Sequence, residues 1–354
     1  MTRSQPALRV GFLYTGDLRL EFAGFADKTA PAHRLFGAGH LAELGAEPVR
    51  FSWPRWWPRS WEGPWAWRLV QTVRLLTQQR SLHAVVASTE AAAYAPLLLR
   101  RLGLLRRPLV VLTVAALKPS NTTGWRRLLI GWLLRGGDTV ICYASCQVPA
   151  LCDAFRLSPG SVESWPFAVD TDFFRPLDLP AEFDVVSVGA NELKDFETLL
   201  AALPDSYRCL IVTDDGNRDR IADLAGPLVT VCTHIPIAEL PQIYGSGRHF
   251  VVPLKSSSYS SGQTVLLENL VSGRRVITAR VPYVQDYVAG VATTQYEPGD
   301  AASLREILLA APQPVTAAEL AEARQRFSSQ EFSRRLLEVC TRLGSPDAPA
   351  TPGP

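Results

Sequence analysis

Residues 258–273 read SYSSGQTVLLENLVSG: a turn of hydroxyls and glycine that runs into an apolar stretch carrying one acid, Glu268. The pattern predicts a helix starting near Gln263 and closed by Gly273 in a left-handed cap. The first N–H groups of a helix lack intrahelical partners, and with the helix dipole they attract an anion. At i, i+4 and i+8, Ser260, Thr264 and Glu268 would share one face of that helix. A diphosphate at that N-terminus, after the Ser258–Gly262 turn, would then leave Glu268 one turn further along, able to accept hydrogen bonds from a ribose diol. Two other loops carry related chemistry. In VVSVGANELKDFETLL a strand ends at Gly189 and Lys194 follows, a point charge suited to phosphate, although loop lysines are usually surface groups. In VTVCTHIPIAEL, His234 and Ile235 leave a strand before a Pro-initiated helix. A base role is conceivable for His234, but a lone histidine there is more often structural, and backbone contacts are the favoured reading.

Positioning such loops needs parallel strands. LRVGFLY (8–14) reads as a strand, HRLFGAGHLAELG (33–45) as a helix, and PVRFSW, HAVVAST, PLVVLTV and TVICYAS as further strands separated by helical stretches. After residue 180 the rhythm restarts with FDVVSVG, ETLLAALP, RCLIVTD, LVTVCTH, HFVVPL and RRVITA. This alternation implies parallel sheets covered on both faces, arranged as two doubly wound domains. The expected division is 1–168 and 169–328, then a helix over 329–344 returning toward the first domain and a disordered tail at 345–354.

The composition of the 354 residues is globular, 47% hydrophobic and 20% charged. Arginine outnumbers lysine heavily, which fits a GC-rich bacterial coding sequence. Net charge is only +2, but residues 1–175 hold 21 Lys/Arg against 12 Asp/Glu, while the remainder holds 15 against 22. A basic half suggests an anionic partner for the first domain. No recognised nucleic-acid motif accompanies it. The six cysteines lack zinc or disulfide spacing and read as reduced thiols, so no metal is expected. No apolar run is long enough to span a bilayer, and the expected location is cytoplasmic.

One segment, FSWPRWWPRSWEGPWAWRL, sets Trp53, Trp56, Trp57, Trp61, Trp65 and Trp67 among arginines and prolines. It reads as a packed insertion, as an aromatic acceptor pocket, or as an interfacial surface touching an anionic membrane at its inner face. WRRLLIGWLLR (125–135) is similarly amphipathic and basic.

Four motifs, in order, resemble the retaining glycosyltransferases of family 4, which have the GT-B fold: two Rossmann-like domains with a cleft between them. PFAVDTDFFRP resembles the family's interdomain signature, with Ala168 at its usual glycine. VGANELKDFETLL resembles its phosphate-binding loop, SGQTVLLENLVSGRRVI its E-x7-E helix, and YEPGDAASLREIL its late Pro-Gly-Asp segment. The resemblance implies a nucleotide-sugar donor, UDP-sugar before GDP-sugar, as co-substrate with no cofactor and no metal. It assigns the diphosphate to Lys194 and the backbone of Ser261–Thr264, and the ribose to Glu268. Three departures stand out: Ser260 replaces the first acid, Ala190 falls where a phosphate-binding arginine is usual, and a first-domain histidine is missing, with Lys118 the nearest polar group. Gly16, His33 and Arg34 are the remaining acceptor-side candidates. The acceptor would be a small-molecule, carrier-bound or lipid-linked hydroxyl. The alternative is a catalytically impaired GT-B protein that binds a nucleotide sugar or a partner.

Overall fold

The computed structural model describes residues 8–53 and 63–345. The described residues form two compact units, one of residues 8–26, 32–53, 63–165 and 330–345, the other of 27–31 and 166–329. The first unit runs β1 (Leu8–Leu13), α1 (Arg19–Ala26), β2 (Ala46–Arg50), α2 (Pro64–Gln78), β3 (Ala84–Ala87), α3 (Glu90–Arg101), β4 (Leu109–Leu112), α4 (Gly124–Leu134), β5 (Thr139–Cys142), α5 (Gln147–Phe155) and β6 (Val162–Ser164). The second runs β7 (Phe183–Val188), α6 (Phe196–Ala202), β8 (Cys209–Thr213), α7 (Asp215–Ile221), β9 (Val229–Thr233), α8 (Leu240–Gly245), β10 (Gly247–Val252), α9 (Gln263–Val271), β11 (Val276–Ala279), α10 (Gln285–Val288), β12 (Thr293–Tyr296), α11 (Ala301–Leu309) and α12 (Ala317–Arg326). The last helix, α13 (Ser329–Gly344), belongs from Gln330 onward to the first unit.

Each unit is built on a six-stranded parallel sheet, ordered β2-β1-β3-β4-β5-β6 and β12-β11-β10-β7-β8-β9. The central strands AVVA, LVVL and TVIC are buried along their whole length. That continuous apolar reading is what a strand covered on both faces requires. In the first sheet β1 is followed by β2 on one side and β3 on the other. In the second, β7 leads to β8 on one side while β10 pairs on the other. These are the two points where strand order reverses. Open α/β sheets leave a crevice there, outside the carboxyl ends of the strands.

Residues 33–45 do not form the expected α-helix. A single 3-10 turn spans Ala32–Leu35, after which Phe36 and Gly37 take left-handed φ values of 51° and 90°. Gly37 also leaves room for α13, because a Cβ there would stand 2.7 Å from Leu336 Cδ2. The helix of this region is instead α1, which sequence periodicity did not signal. α13 buries Phe332, Leu336, Val339 and Cys340. Trp165 packs edge-on to Phe332 at 5.8 Å, Arg335 lies over the Trp165 ring, and Arg342 pairs with Glu163 at 3.1 Å.

The tryptophan-rich segment is described only at its ends. Trp53 and Trp67 pack together with ring centroids 5.2 Å apart, and Trp65 is exposed. Trp56, Trp57 and Trp61 lie outside the described residues, as does the tail from 346 onward.

Candidate functional site

The site assembles at the β7/β10 reversal. β7 ends at Val188, and Gly189 follows at φ 151° with its amide held by Val212 O. The chain then turns through Asn191 to Lys194, whose backbone bridges antiparallel to Leu254 after β10. Asp195 N donates to Pro253 O and Lys255 N to Leu193 O, at 3.1 and 2.9 Å. Tyr259 OH donates to Glu192 at 2.6 Å. The two exit loops are therefore tied together at several points, a rigidity that neither sequence segment announces alone.

Lys194 is not the exposed surface group that loop lysines usually are. It is 1% exposed, and its Nζ makes no hydrogen bond. Its stem lies across Gly189, where a Cβ would stand 2.0 Å from Lys194 Cε, and its tip reaches Gly262, where a Cβ would stand 3.2 Å from Nζ. A side chain at Gly189 would overlap the lysine stem, and one at Gly262 would press on Nζ and meet Leu254 Cδ2 at 2.8 Å. Burial pulls the ammonium down to about 7, partly offset by the Glu268 charge. A buried cation without a partner costs free energy, and perturbed groups of this kind concentrate at functional sites.

α9 begins at Gln263, as expected, with Gly262 at the N-cap in a left-handed φ of 81° and no side chain to cap it. Here one expectation fails. Ser260 precedes the left-handed turn, so it does not share a helical face with Thr264 and Glu268; only those two sit on the helix. Ser260 Oγ is nonetheless buried without a hydrogen-bond partner, a second orphaned polar atom in the paired exit loops. Ser261 is buried, and Gln263 is turned inward, donating to Tyr283 O at 3.4 Å. The helix closes at Gly273, φ 75°, with Gly273 N to Leu270 O and Arg274 N to Asn269 O, the Schellman pattern.

Glu268 is 2% exposed and accepts a 2.5 Å hydrogen bond from Tyr244 OH on α8. Burial, reinforced by the Glu268 charge, pushes the Tyr244 phenol well above its ordinary value. Tyr244 is held by aromatic neighbours, Phe174 at 5.7 Å and Phe250 at 5.3 Å. Phe174 in turn lies two residues before the final proline of PFAVDTDFFRP, where Asp170 Oδ1 accepts from Asp172 N and Phe173 N. Sequence reading missed Tyr244, which is 24 residues from its partner.

His234 does not join this cluster. It leaves β9, the edge strand, at φ 60°, is 77% exposed by side chain, and sets Nε2 3.0 Å from Asp215. That hydrogen bond holds the Asp215 carboxyl below its usual range. The geometry suits a surface pair rather than a base; Ile235 beside it is half-buried.

In the first unit, Gly16 follows β1 at the other strand reversal, with nothing within 4 Å of a Cβ placed there. Gln71 clamps the end of β1 through Tyr14 N and O. His33 is buried in the 3-10 turn, and Arg34 is partly exposed 3.9 Å from Glu21. Lys118 is half-buried in the β4 exit loop. The same loop is held by Glu90, a buried acid that sequence reading did not single out, accepting from Val114 N and Ala115 N at 3.0 and 3.2 Å. An acid directly after a strand and a Thr N-cap was its only signal.

Among the described residues no cluster of His, Cys, Asp and Glu is placed to hold a metal ion. A cavity of about 350 Å³ lies at the amino ends of β10 and β11, lined by Arg248, His249, Arg274 and Arg275. Its Arg275 is paired with Glu319, and Arg274 donates to Leu177 O and Gly245 O. It stands at the wrong end of the strands for a crevice ligand.

No family model matches the chain, and no curated relative does. Solved structures do. A sucrose-phosphate synthase from Thermosynechococcus elongatus is 16% identical with a TM-score of 0.70, covering 94% of this chain and 98% of that one. Anabaena HepE in complex with UDP-glucose is 14% identical with a TM-score of 0.69 over 94% and 99%. A glycosyltransferase from Rickettsia africae is 13% identical with a TM-score of 0.66 over 97% and 100%. The likeness runs through both units, and the fold is that of GT-B glycosyltransferases.

Proposed function

We propose that the chain is a retaining glycosyltransferase that moves a sugar from a nucleotide-sugar donor to a hydroxyl acceptor. The observation that carries this is the unpartnered Lys194 ammonium, buried where two glycines admit it beside the uncapped start of α9. A diphosphate is the group that matches: its charge would pair Lys194 and take the first N–H groups of the helix. Glu268, already oriented by Tyr244, would receive the ribose hydroxyls. In transfer, the bond from sugar C1 to the diphosphate oxygen breaks and a bond from C1 to the acceptor oxygen forms. The acceptor's proton passes to the departing phosphate. Lys194 and the helix dipole stabilise charge that grows only as the diphosphate leaves, which is where electrostatic catalysis acts. Because these groups supply the positive charge, the reaction needs neither metal nor cofactor in this reading. HepE was solved with UDP-glucose, which favours UDP over GDP as the first nucleotide to try. The acceptor is a small-molecule, carrier-bound or lipid-linked hydroxyl met by the first unit.

A panel of UDP, GDP and their sugars, read by thermal shift, tests the donor. One nucleotide series is expected to raise Tm, since ligand at 100 times Kd stabilises by about 2.7 kcal/mol. No shift with any member would remove the donor site.

A further inference from the structure

The first unit carries a surface that the transfer reaction does not use. On α4, Trp125, Leu128, Leu129 and Trp132 are all exposed, with Trp125 at 69%. They fall at i, i+3, i+4 and i+7, a single outward stripe. The opposite side of the same helix buries Ile130, Leu133 and Leu134, so α4 is apolar on both faces. α3 lies beside it, joined where Arg101 donates through Nε and Nη2 to Trp132 O. Leu98 on α3, with Leu102 and Leu104 just beyond it, is exposed as well, Leu102 at 61%. On α2, Trp65, Leu69 and Val73 repeat the pattern at i, i+4 and i+8.

Charge around this apolar face is one-sided. Residues 63–137 contain eleven Lys/Arg and a single acid, Glu90, and that acid is buried. Arg126 lies 5.9 Å from the Trp125 ring and Arg101 5.1 Å from the Trp132 ring. Both α4 tryptophans thus sit beside a cation, the arrangement that suits the headgroup layer of a bilayer. Among the described residues no helix is long and apolar enough to cross a membrane. A second copy of the chain is a poor cover, because two faces of the same sign would repel. Nucleic acid would leave the leucines against phosphate.

We propose that the α3–α4 face, extended by α2, docks on the surface of an anionic lipid bilayer, with the tryptophans and leucines in the headgroup layer and the arginines against lipid phosphates. Docking itself needs no transferase activity; only its corollary, a lipid-linked acceptor, rests on the function proposed above.

Co-sedimentation of the full chain with phosphatidylcholine vesicles, with and without phosphatidylglycerol, tests this. Binding is expected only with phosphatidylglycerol, and it should weaken at high salt, because screening shortens the reach of surface charge to about 10 Å already at 0.1 M. Trp125→Ser with Leu128→Ser should reduce binding at least tenfold, and Arg126→Ser with Arg127→Ser should do so at low salt. Each pair is judged after circular dichroism and an unchanged thermal melting transition without ligand show an intact fold. Failure of the chain to sediment with anionic vesicles at low salt would overturn the proposal. So would undiminished binding by both folded variants, or self-association through this face in sedimentation velocity without vesicle binding. None of these readouts requires turnover, so docking and transfer can fail separately.

Discussion

Lys194→Met is expected to raise the stability of the free protein while lowering transfer by about 10²–10³-fold, the loss typical of removing one transition-state charge partner. The two effects share one cause. Folding places the ammonium in a channel with no hydrogen-bond acceptor, and burial draws its pKa from 10.5 to about 7. Below pH 7 both folded and unfolded chains carry the proton, and the full penalty of burying charge is present. Between pH 7 and about 10.5 the unfolded chain binds more protons, so stability rises with pH across that window. Methionine keeps an unbranched stem against Gly189 and carries no charge, so the penalty disappears. Tm should therefore increase, more at pH 6 than at pH 9.5, by about 2–4 °C for each kcal/mol recovered. A fall in both Tm and activity would make Lys194 a structural residue.

Glu268→Ala should have the second largest effect, and in the opposite direction for stability. The carboxylate is the acceptor for Tyr244 OH, and truncation leaves a buried phenol without one, at a cost of about 1–3 kcal/mol. It also removes the proposed ribose contact, so UDP affinity should fall by roughly tenfold or more. Glu268→Gln separates these roles: its carbonyl still accepts from Tyr244, so most stability should return. Because the Glu268 charge raises the Lys194 pKa, the glutamine variant should also move the Lys194 titration to lower pH. If Glu268→Gln binds UDP with wild-type affinity and pH dependence, the acid takes no part in the nucleotide site.

The alternation of β-branched runs with helical stretches gave both sheets, and the hydroxyl- and glycine-rich turn, the apolar run and Gly273 placed α9 and its cap. What stayed hidden depends on long-range packing. Lys194 is buried because Gly189 and Gly262, from two different strand exits, both lack a Cβ. Tyr244 meets Glu268 because Phe174 and Phe250 fix its ring from two other segments. Ser260 was placed on a helical face by counting in fours, whereas the left-handed φ at Gly262 ends that count. Residues 33–45 show the same failure in reverse, a helical pattern broken by left-handed φ at Phe36 and Gly37. The His234 side chain pairs with Asp215 at the edge strand, in keeping with the structural reading of a lone histidine at a strand end.

Calorimetric titration with UDP at pH 8, in buffers of differing ionisation enthalpy, tests most directly whether Lys194 receives a diphosphate. A lysine that titrates at about 7 in the free protein is mostly neutral at pH 8, and pairing with a diphosphate should restore its proton. Binding is expected to take up close to one proton, with affinity falling as pH rises above 7, and Lys194→Met should bind more weakly with no such uptake. UDP binding without proton uptake, or with an uptake that Lys194→Met retains, would contradict the account.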